Sequence, residues 1–396
     1  MKVLLVLTYY HPHVSGLTIY VQRLATALAR RGHQVTVLTS RYDPALQAEE
    51  EIDGVRVVRA PVLFRVSKGV IMPSFPLLAW RLIREHDVVS VHLPQFEASL
   101  LGLLGRLAGR PVVLTYHCDL QLPKGWFNRI VDKVVFVSNY LAGHLAQAAV
   151  AYTQDFAEHS HFLSRFLSKV QVIPPPVIMP APEPEAVEAF RADHDLADRP
   201  VVGMAARLAT EKGVEVLIEA MPHLLEVSPR LKVLFAGQYE DVMGEEAYYQ
   251  RLMPLIEQLG AEHWEFLGML TQAQMPAFFA ACDVLVVPSL NSTESFGLVQ
   301  VEAMLCGTPS IASNLPGVRQ PPRMTGMGEV TPIGDSEALA EAILRILQQP
   351  DDYVRPRGLI EDAFSLGRTV SGYEALFEAL EDGQTQASQP AKVREI

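Results

Sequence analysis

A chain of 396 residues exceeds one core of ordinary size and suits two domains, each able to bury most of its apolar surface. Hydrophobic residues make up 49% and charged residues 20%, which excludes a fibrous or disordered polymer, and a net charge of −12 argues against a nucleic-acid partner. Cys118, Cys282 and Cys306 lie far apart without paired spacing, which argues against a disulfide or zinc framework and for reduced packing residues.

The charge is unevenly spread. Up to residue 175 there are 18 Lys/Arg and 12 Asp/Glu (+6), leaving 15 and 33 (−18) for the remainder. Such asymmetry is either drift on solvated faces or the mark of two partners, with the N-terminal half meeting phosphate or anionic lipid.

In chain order, KVLLVLTYY is a short apolar run that reads as a strand. An amphipathic stretch over 17–31 follows, with Tyr20, Val21, Leu24 and Leu28 at helical spacing; Gly32 stops it and QVTVLTS is the next strand. This β-α-β order predicts a parallel sheet. The stretch LFRVSKGVIMPSFPLLAWRLIRE combines Phe64, Phe75 and Trp80 with Arg65, Lys68, Arg81 and Arg84, a composition that suits peripheral contact with a membrane surface or, equally, a loop and helix packed on the sheet. Strands are expected at 88–92, 112–116 and 133–137, alternating with helices at 96–108 and 140–148. No run of about 18 uncharged apolar residues occurs, so a cytoplasmic protein is expected, with any membrane contact made at the inner face.

The proline-rich IPPPVIMPAPEP cannot continue a helix or sit inside a sheet, and it divides a first domain (1–175) from a second (199–367) through a linker region at 176–198. Beyond it strands are expected at 201–206, 232–236, 265–267, 284–287 and 310–312, and helices at 214–227, 246–259, 274–281 and 298–306. A helix at 368–381 precedes a polar, aperiodic tail (382–396) expected to fray.

Ligands of open parallel sheets bind beyond the carboxyl ends of the strands, where helix N-termini present unpaired N–H groups. The first such loop, TYYHPHVSG, lacks G-x-G-x-x-G, and the chain lacks G-x-x-x-x-G-K-[ST], which argues against a nicotinamide dehydrogenase or P-loop NTPase. Gly16 in that loop either starts the helix or lets backbone approach a ligand. His11 and His13 have no third ligand at useful spacing, so no metal is assigned. VVLTYH delivers His117 to a strand's carboxyl end. GMAARLATEKG places Arg207 and Lys212 on the turn before a helix, two cations suited to a diphosphate. SLNSTESFGLVQVEAMLCGTPSIAS carries Glu294 in a loop and Glu302 on the following helix, with the turn at Phe296 and Gly297 aiming N–H groups at an anion. Two carboxylates flanking an anion site can accept hydrogen bonds from sugar and ribose hydroxyls.

These segments resemble the retaining glycosyltransferases of family 4, from HPHVSGLTIYVQRLATALARRGHQVTVLT through ARLATEKG to ESFGLVQVEAMLCGTPSIAS and LPGV. The resemblance implies the α/β GT-B fold, two Rossmann-like doubly wound domains facing across a cleft, and transfer of a hexosyl group from a nucleoside diphosphate-sugar to a sugar, lipid-linked or small-molecule hydroxyl acceptor. It implies that Arg207 and Lys212 hold the donor diphosphate, Glu294 the sugar hydroxyls and Glu302 the ribose. Backbone amides at Phe296, Gly297, Leu298 and Val299 would meet sugar and phosphate, His117 would lie near the donor sugar, and Gly16 would approach phosphate. It further implies that 266–270, ending at Leu270, lies against the base, that the last helix crosses back onto the first domain, and that no cofactor or essential metal is needed. Ser15 stands where the family commonly has glycine. Uridine is the first expectation for the donor base (UDP) and guanosine the second (GDP). The alternatives are a nucleotide-sugar 2-epimerase of the same fold and a non-catalytic nucleotide-sugar-binding protein.

Overall fold

The computed structural model describes residues 1–66, 69–120 and 125–383. The chain forms two compact units, Met1–Pro176 joined by the segment that begins at Ser365, and Val177–Phe364.

In the first unit the order is β1 (Lys2–Val6), α1 (Gly16–Arg30), β2 (Gln34–Arg41), β3 (Glu49–Ile52), β4 (Val55–Pro61), β5 (Phe64–Val66), β6 (Gly69–Ile71), α2 (Phe75–Glu85), β7 (Val88–Leu93), α3 (Ala98–Ala108), β8 (Val112–Tyr116), α4 (Trp126–Leu145), β9 (Ala148–Ala151), α5 (Gln154–His159) and β10 (Val170–Val172). Eight strands make one sheet in the order β10-β9-β8-β7-β1-β2-β4-β3. All pairings in it are parallel except that of β3 with β4. On one face Leu4, Val6, Val89, Val91 and Leu114 pack with Leu82 and Ile83 of α2 and Leu101 of α3. Towards the carboxyl ends of β7 and β8 the alternate positions turn polar: Ser90, His92, Thr115 and, just past β8, His117 are all buried. A fully covered parallel sheet ordinarily reads as continuous hydrophobic strands, so this polar layer asks for hydrogen-bond partners.

The second unit runs α6 (Pro184–Asp193), β11 (Val201–Ala205), α7 (Val214–Val227), β12 (Lys232–Ala236), α8 (Glu246–Leu259), β13 (Trp264–Gly268), α9 (Met275–Ala281), β14 (Val284–Val287), α10 (Leu298–Leu305), β15 (Ser310–Ser313), α11 (Gln320–Thr325), β16 (Gly328–Thr331), α12 (Ser336–Gln348) and α13 (Arg357–Phe364). Its six strands lie in the order β13-β12-β11-β14-β15-β16, all parallel. The order reverses between β11 and β14, the switch point where loops diverge and leave a crevice for a ligand. Val202, Val233, Phe235, Val284 and Ile311 fill the sheet's core beneath Leu217 and Met221 of α7 and Ile343 of α12.

The last helix, α14 (Leu366–Glu381), returns to the first unit. Thr369 donates its hydroxyl to the Pro174 carbonyl at 2.8 Å, and Glu374 pairs with Arg31 and His33 of the α1–β2 corner.

Three sequence expectations change. The strand expected at 133–137 is the middle of α4; VVFV has strand-like propensity, but a short apolar run is not distinguished from helix by periodicity. The helix expected at 140–148 gives way after Leu145, and Ala148 starts β9. Within the segment taken as linker, Pro184–Asp193 is helix, with Pro at its first position, where the missing N–H costs nothing. Arg191 fastens it to the Ala281 carbonyl at 2.7 Å. Residues 384–396 of the expected tail lie outside the described residues.

Candidate active site

In the second unit the loops after β11 and β14 leave adjacent parallel strands and run side by side. Leu290 donates its N–H to the Glu211 carbonyl at 2.9 Å. Gly213 caps α7 at φ 67°, and a Cβ there would sit 2.1 Å from the Pro288 carbonyl oxygen, so only glycine lets the loops close this far. Thr210–Lys212 make a single 3-10 turn before it, and Lys212 lies over the neighbouring loop with its Nζ 2.5 Å from Glu294 Oε2. The other oxygen of Glu294 accepts the Gly297 N–H at 3.1 Å. One carboxylate thus occupies both an ammonium and a backbone donor at the start of α10. Arg207 pairs with Glu211 at 3.1 Å and is half exposed.

Gly297 stands at φ 74° with its would-be Cβ 2.6 Å from Gln300 Nε2, and Gln300 in turn bonds the Phe296 and Val318 carbonyls at 3.0 Å. This knot sets the angle at which α10 begins. Leu298 and Val299 open that helix, where N–H groups have no intrahelical acceptor. The Phe296 ring is buried against Phe364 at 5.6 Å and does not reach the surface. Glu302 is half-buried on α10. On β13, Phe266 stacks on Tyr239 at 4.2 Å, and the half-buried Leu270 follows two residues after the strand.

In the first unit, Gly16 is the first residue of α1 with open space where a side chain would project, and Ser15 caps the helix by accepting the Thr18 N–H at 3.2 Å. His117 is buried. Its Nε2 lies 2.9 Å from His92 Nδ1, and its Nδ1 bonds the Tyr152 hydroxyl. Tyr20 stacks on Tyr152 and shares a 2.8 Å hydrogen bond with Tyr373 of α14, whose hydroxyl also meets Thr115 Oγ1 at 2.8 Å. Burial holds the His92 pKa down to about 3 and pushes that of His117 well below the ordinary histidine value, with the neighbouring ring adding to the effect. With both rings neutral, a single N–H bridges them. Any side-chain contact from His117 to a ligand requires one of these two bonds to give way.

The sequence pointed to His117 but not to His92, Tyr152 or Tyr373, which supply its surroundings; the polar alternation in VVSVHL and VVLTYH was the available signal. Glu97, also missed, follows β7 with its carboxyl pushed up to about 7 by burial. The segment read as a membrane contact divides: Phe75 is buried in the core, Trp80 is half-buried under Arg84 at 5.7 Å, and only Phe64 is exposed among its three aromatics. Lys68 lies outside the described residues. Among the described residues no group of three or more His, Cys, Asp or Glu side chains is placed to hold a metal, and no helix is long and apolar enough to cross a membrane.

The sequence matches two family models, a glycosyl transferase 4-like domain over residues 15–176 and glycosyl transferases group 1 over 187–358. It is 31% identical to the 2-deoxystreptamine N-acetyl-D-glucosaminyltransferase of Streptomyces fradiae, covering 83% of this chain and 82% of that protein. The chain belongs to the family 4-type glycosyltransferases. This glycosyltransferase is also 29% identical to the GDP-mannose-dependent alpha-(1-6)-phosphatidylinositol monomannoside mannosyltransferase of Mycolicibacterium smegmatis, over 88% of this chain and 89% of that one. Its fold is that of the GT-B enzymes. The sucrose-phosphate synthase of Thermosynechococcus elongatus superposes with a TM-score of 0.75 at 24% identity, covering 96% of this glycosyltransferase and 99% of that chain. Anabaena HepE in complex with UDP-glucose superposes with 0.75 at 21% identity, over 96% and 100%.

Proposed function

We propose that this glycosyltransferase moves a hexosyl group from a nucleoside diphosphate-sugar to a hydroxyl acceptor, which is a sugar, a lipid-linked group or a small molecule, with retention of configuration and without an essential metal. The observation that carries the reading is the arrangement of Lys212, Glu294 and the Gly297 N–H at the switch point of the second unit's sheet. An ammonium and a helix-start amide that converge on one carboxylate also suit a diphosphate. When a donor binds, its phosphate oxygens take over Lys212 and the amides of Gly297, Leu298 and Val299, while Glu294 turns its carboxylate to the sugar hydroxyls. Arg207, released from Glu211, adds a bidentate contact, and Glu302 accepts from the ribose.

Breaking the anomeric C–O bond builds negative charge on the departing diphosphate, and these donors are aimed where that charge develops. A phosphate oxygen of the leaving group takes the acceptor's proton on the same face, which accounts for retention without a protein nucleophile. Glycosyltransferases with similar sequences or folds are named for GDP-mannose or solved with UDP-glucose, so the base is tested between uridine and guanosine.

Two experiments check this. In a thermal-shift series with UDP, GDP and ADP, one nucleotide is expected to raise the melting temperature, because a ligand of the folded state stabilises it. Lys212→Ala and Arg207→Ala are each expected to lower kcat/KM for the donor at least about a hundredfold, or roughly 2–4 kcal/mol of transition-state stabilisation. Unchanged turnover in both variants overturns the diphosphate assignment.

A further inference from the structure

The helix α4 is inverted relative to an ordinary surface helix, which turns its apolar stripe inward. The residues it buries are small or polar: Ser138, Asn139, Ala142 and Gly143. Gly143 admits the Phe166 ring so closely that a Cβ there would come within 2.5 Å of it. Outward it presents Trp126, Phe127, Ile130, Val134, Val137 and Leu141, from 44% exposed at Val134 to 77% at Trp126. From Phe127 onward the spacing alternates between three and four residues, so these side chains form one stripe along the helix rather than scattered points. A contiguous stripe of this kind marks a contact surface, whereas single exposed apolar residues do not.

The charges beside the stripe select the occupant. Arg129 and Lys133 are exposed along one edge. On the same edge the Arg165 guanidinium lies 5.4 Å over the Phe136 ring. The helix's one acid, Asp132, is half-buried, and burial raises its pKa. A second copy paired antiparallel across Val134 would set Lys133 against its own counterpart with no exposed acid on the helix to answer it. An anionic bilayer answers both features, offering hydrocarbon to the stripe and phosphate to the cations. The excess of Lys/Arg over Asp/Glu up to residue 175, 18 against 12, acts in the same direction.

We propose that α4 is an interfacial helix that lies in the plane of an anionic lipid surface, with the Phe127-to-Leu141 stripe among the acyl chains and Arg129, Lys133 and Arg165 at the headgroup phosphates. Trp126, an amphipathic ring at the stripe's end, sits at the level of the headgroups. The contact differs from the one expected near Trp80, and it stands independently of how the donor is held.

The full chain is floated with vesicles of phosphatidylcholine alone and of phosphatidylcholine and phosphatidylglycerol mixed two to one. Flotation is expected with the mixed vesicles only, weakened about tenfold by Val134→Ser with Val137→Ser and to a similar degree by Arg129→Gln with Lys133→Gln. Tryptophan emission is expected to shift to the blue on adding the mixed vesicles, and Trp126→Phe to abolish the shift. All these positions are exposed, and an unchanged melting temperature and nucleotide response show that each variant is folded and that the donor reading is a separate matter. The proposal fails if the wild type stays with the soluble fraction, or if neither pair of substitutions weakens flotation. It fails equally if Val134→Ser with Val137→Ser halves the solution mass of a chain that does not float, which makes a second copy the occupant.

Discussion

Lys212 and Glu294 are 82 positions apart, and their contact exists because β11 and β14 are neighbours in a parallel sheet. Gly213 is the residue that permits the approach, and its role is testable in isolation. Gly213→Ala places a methyl group against a backbone oxygen at a positive φ, where neither neighbour can yield cheaply. A loss of about 2–4 kcal/mol is expected in urea unfolding, and a value within experimental error of wild type would show that the loops part easily. The histidine pair allows a second test at this scale. Burial keeps His92 at about 3 and His117 well below its ordinary value, so below pH 6.5 the unfolded chain binds protons that the folded chain refuses. Stability from the pair is complete above that pH and drains away as pH falls towards 3, by up to about 1.4 kcal/mol per pH unit for each ring. Replacing both with glutamine is expected to flatten the slope of stability against pH between about 6.5 and 4, measured by denaturant titration at each pH.

Among the elements, α14 and α4 owe their places to opposite kinds of packing. The helix α14 reaches the first unit through Val370, Tyr373 and Phe377, all buried, and Tyr373 ties it to both α1 and β8 through one hydroxyl. Tyr373→Phe keeps the ring and removes two buried hydrogen bonds, leaving Tyr20 and Thr115 each short of a partner. A loss of about 1–3 kcal/mol is expected, together with faster proteolysis near Ser365 as the helix detaches more often. Protection from protease equal to wild type would place the anchorage in the apolar contacts alone. The helical spacing of Val370, Tyr373 and Phe377 was legible in sequence; that Tyr373 would end beside Tyr20 was not, because nothing local records a contact across more than three hundred residues. For α4 even the element type was illegible. Its buried residues include Ser138, Ala142 and Gly143, which carry little hydrophobic signal, while Trp126, Phe127, Ile130, Val134, Val137 and Leu141 are exposed. A reading that equates apolar with buried therefore sees a strand in VVFV.

For the whole molecule, the sequence by itself determined the α/β class, the repeated alternation of strand and helix, the break near the prolines and the motif segments that carry the family likeness. These are local properties: apolar period, Gly and Pro punctuation, and short spacings that survive without knowledge of the fold. Only the tertiary structure decided that Lys212 is held by Glu294, that His117 has both ring nitrogens engaged in a buried layer with His92 and Tyr152, and that the apolar face of α4 is left uncovered. Each of these depends on which distant segments the sheet order brings together, and the free energy that settles it, the cost of burying polar groups against the gain of pairing them, is defined only once the partners have met.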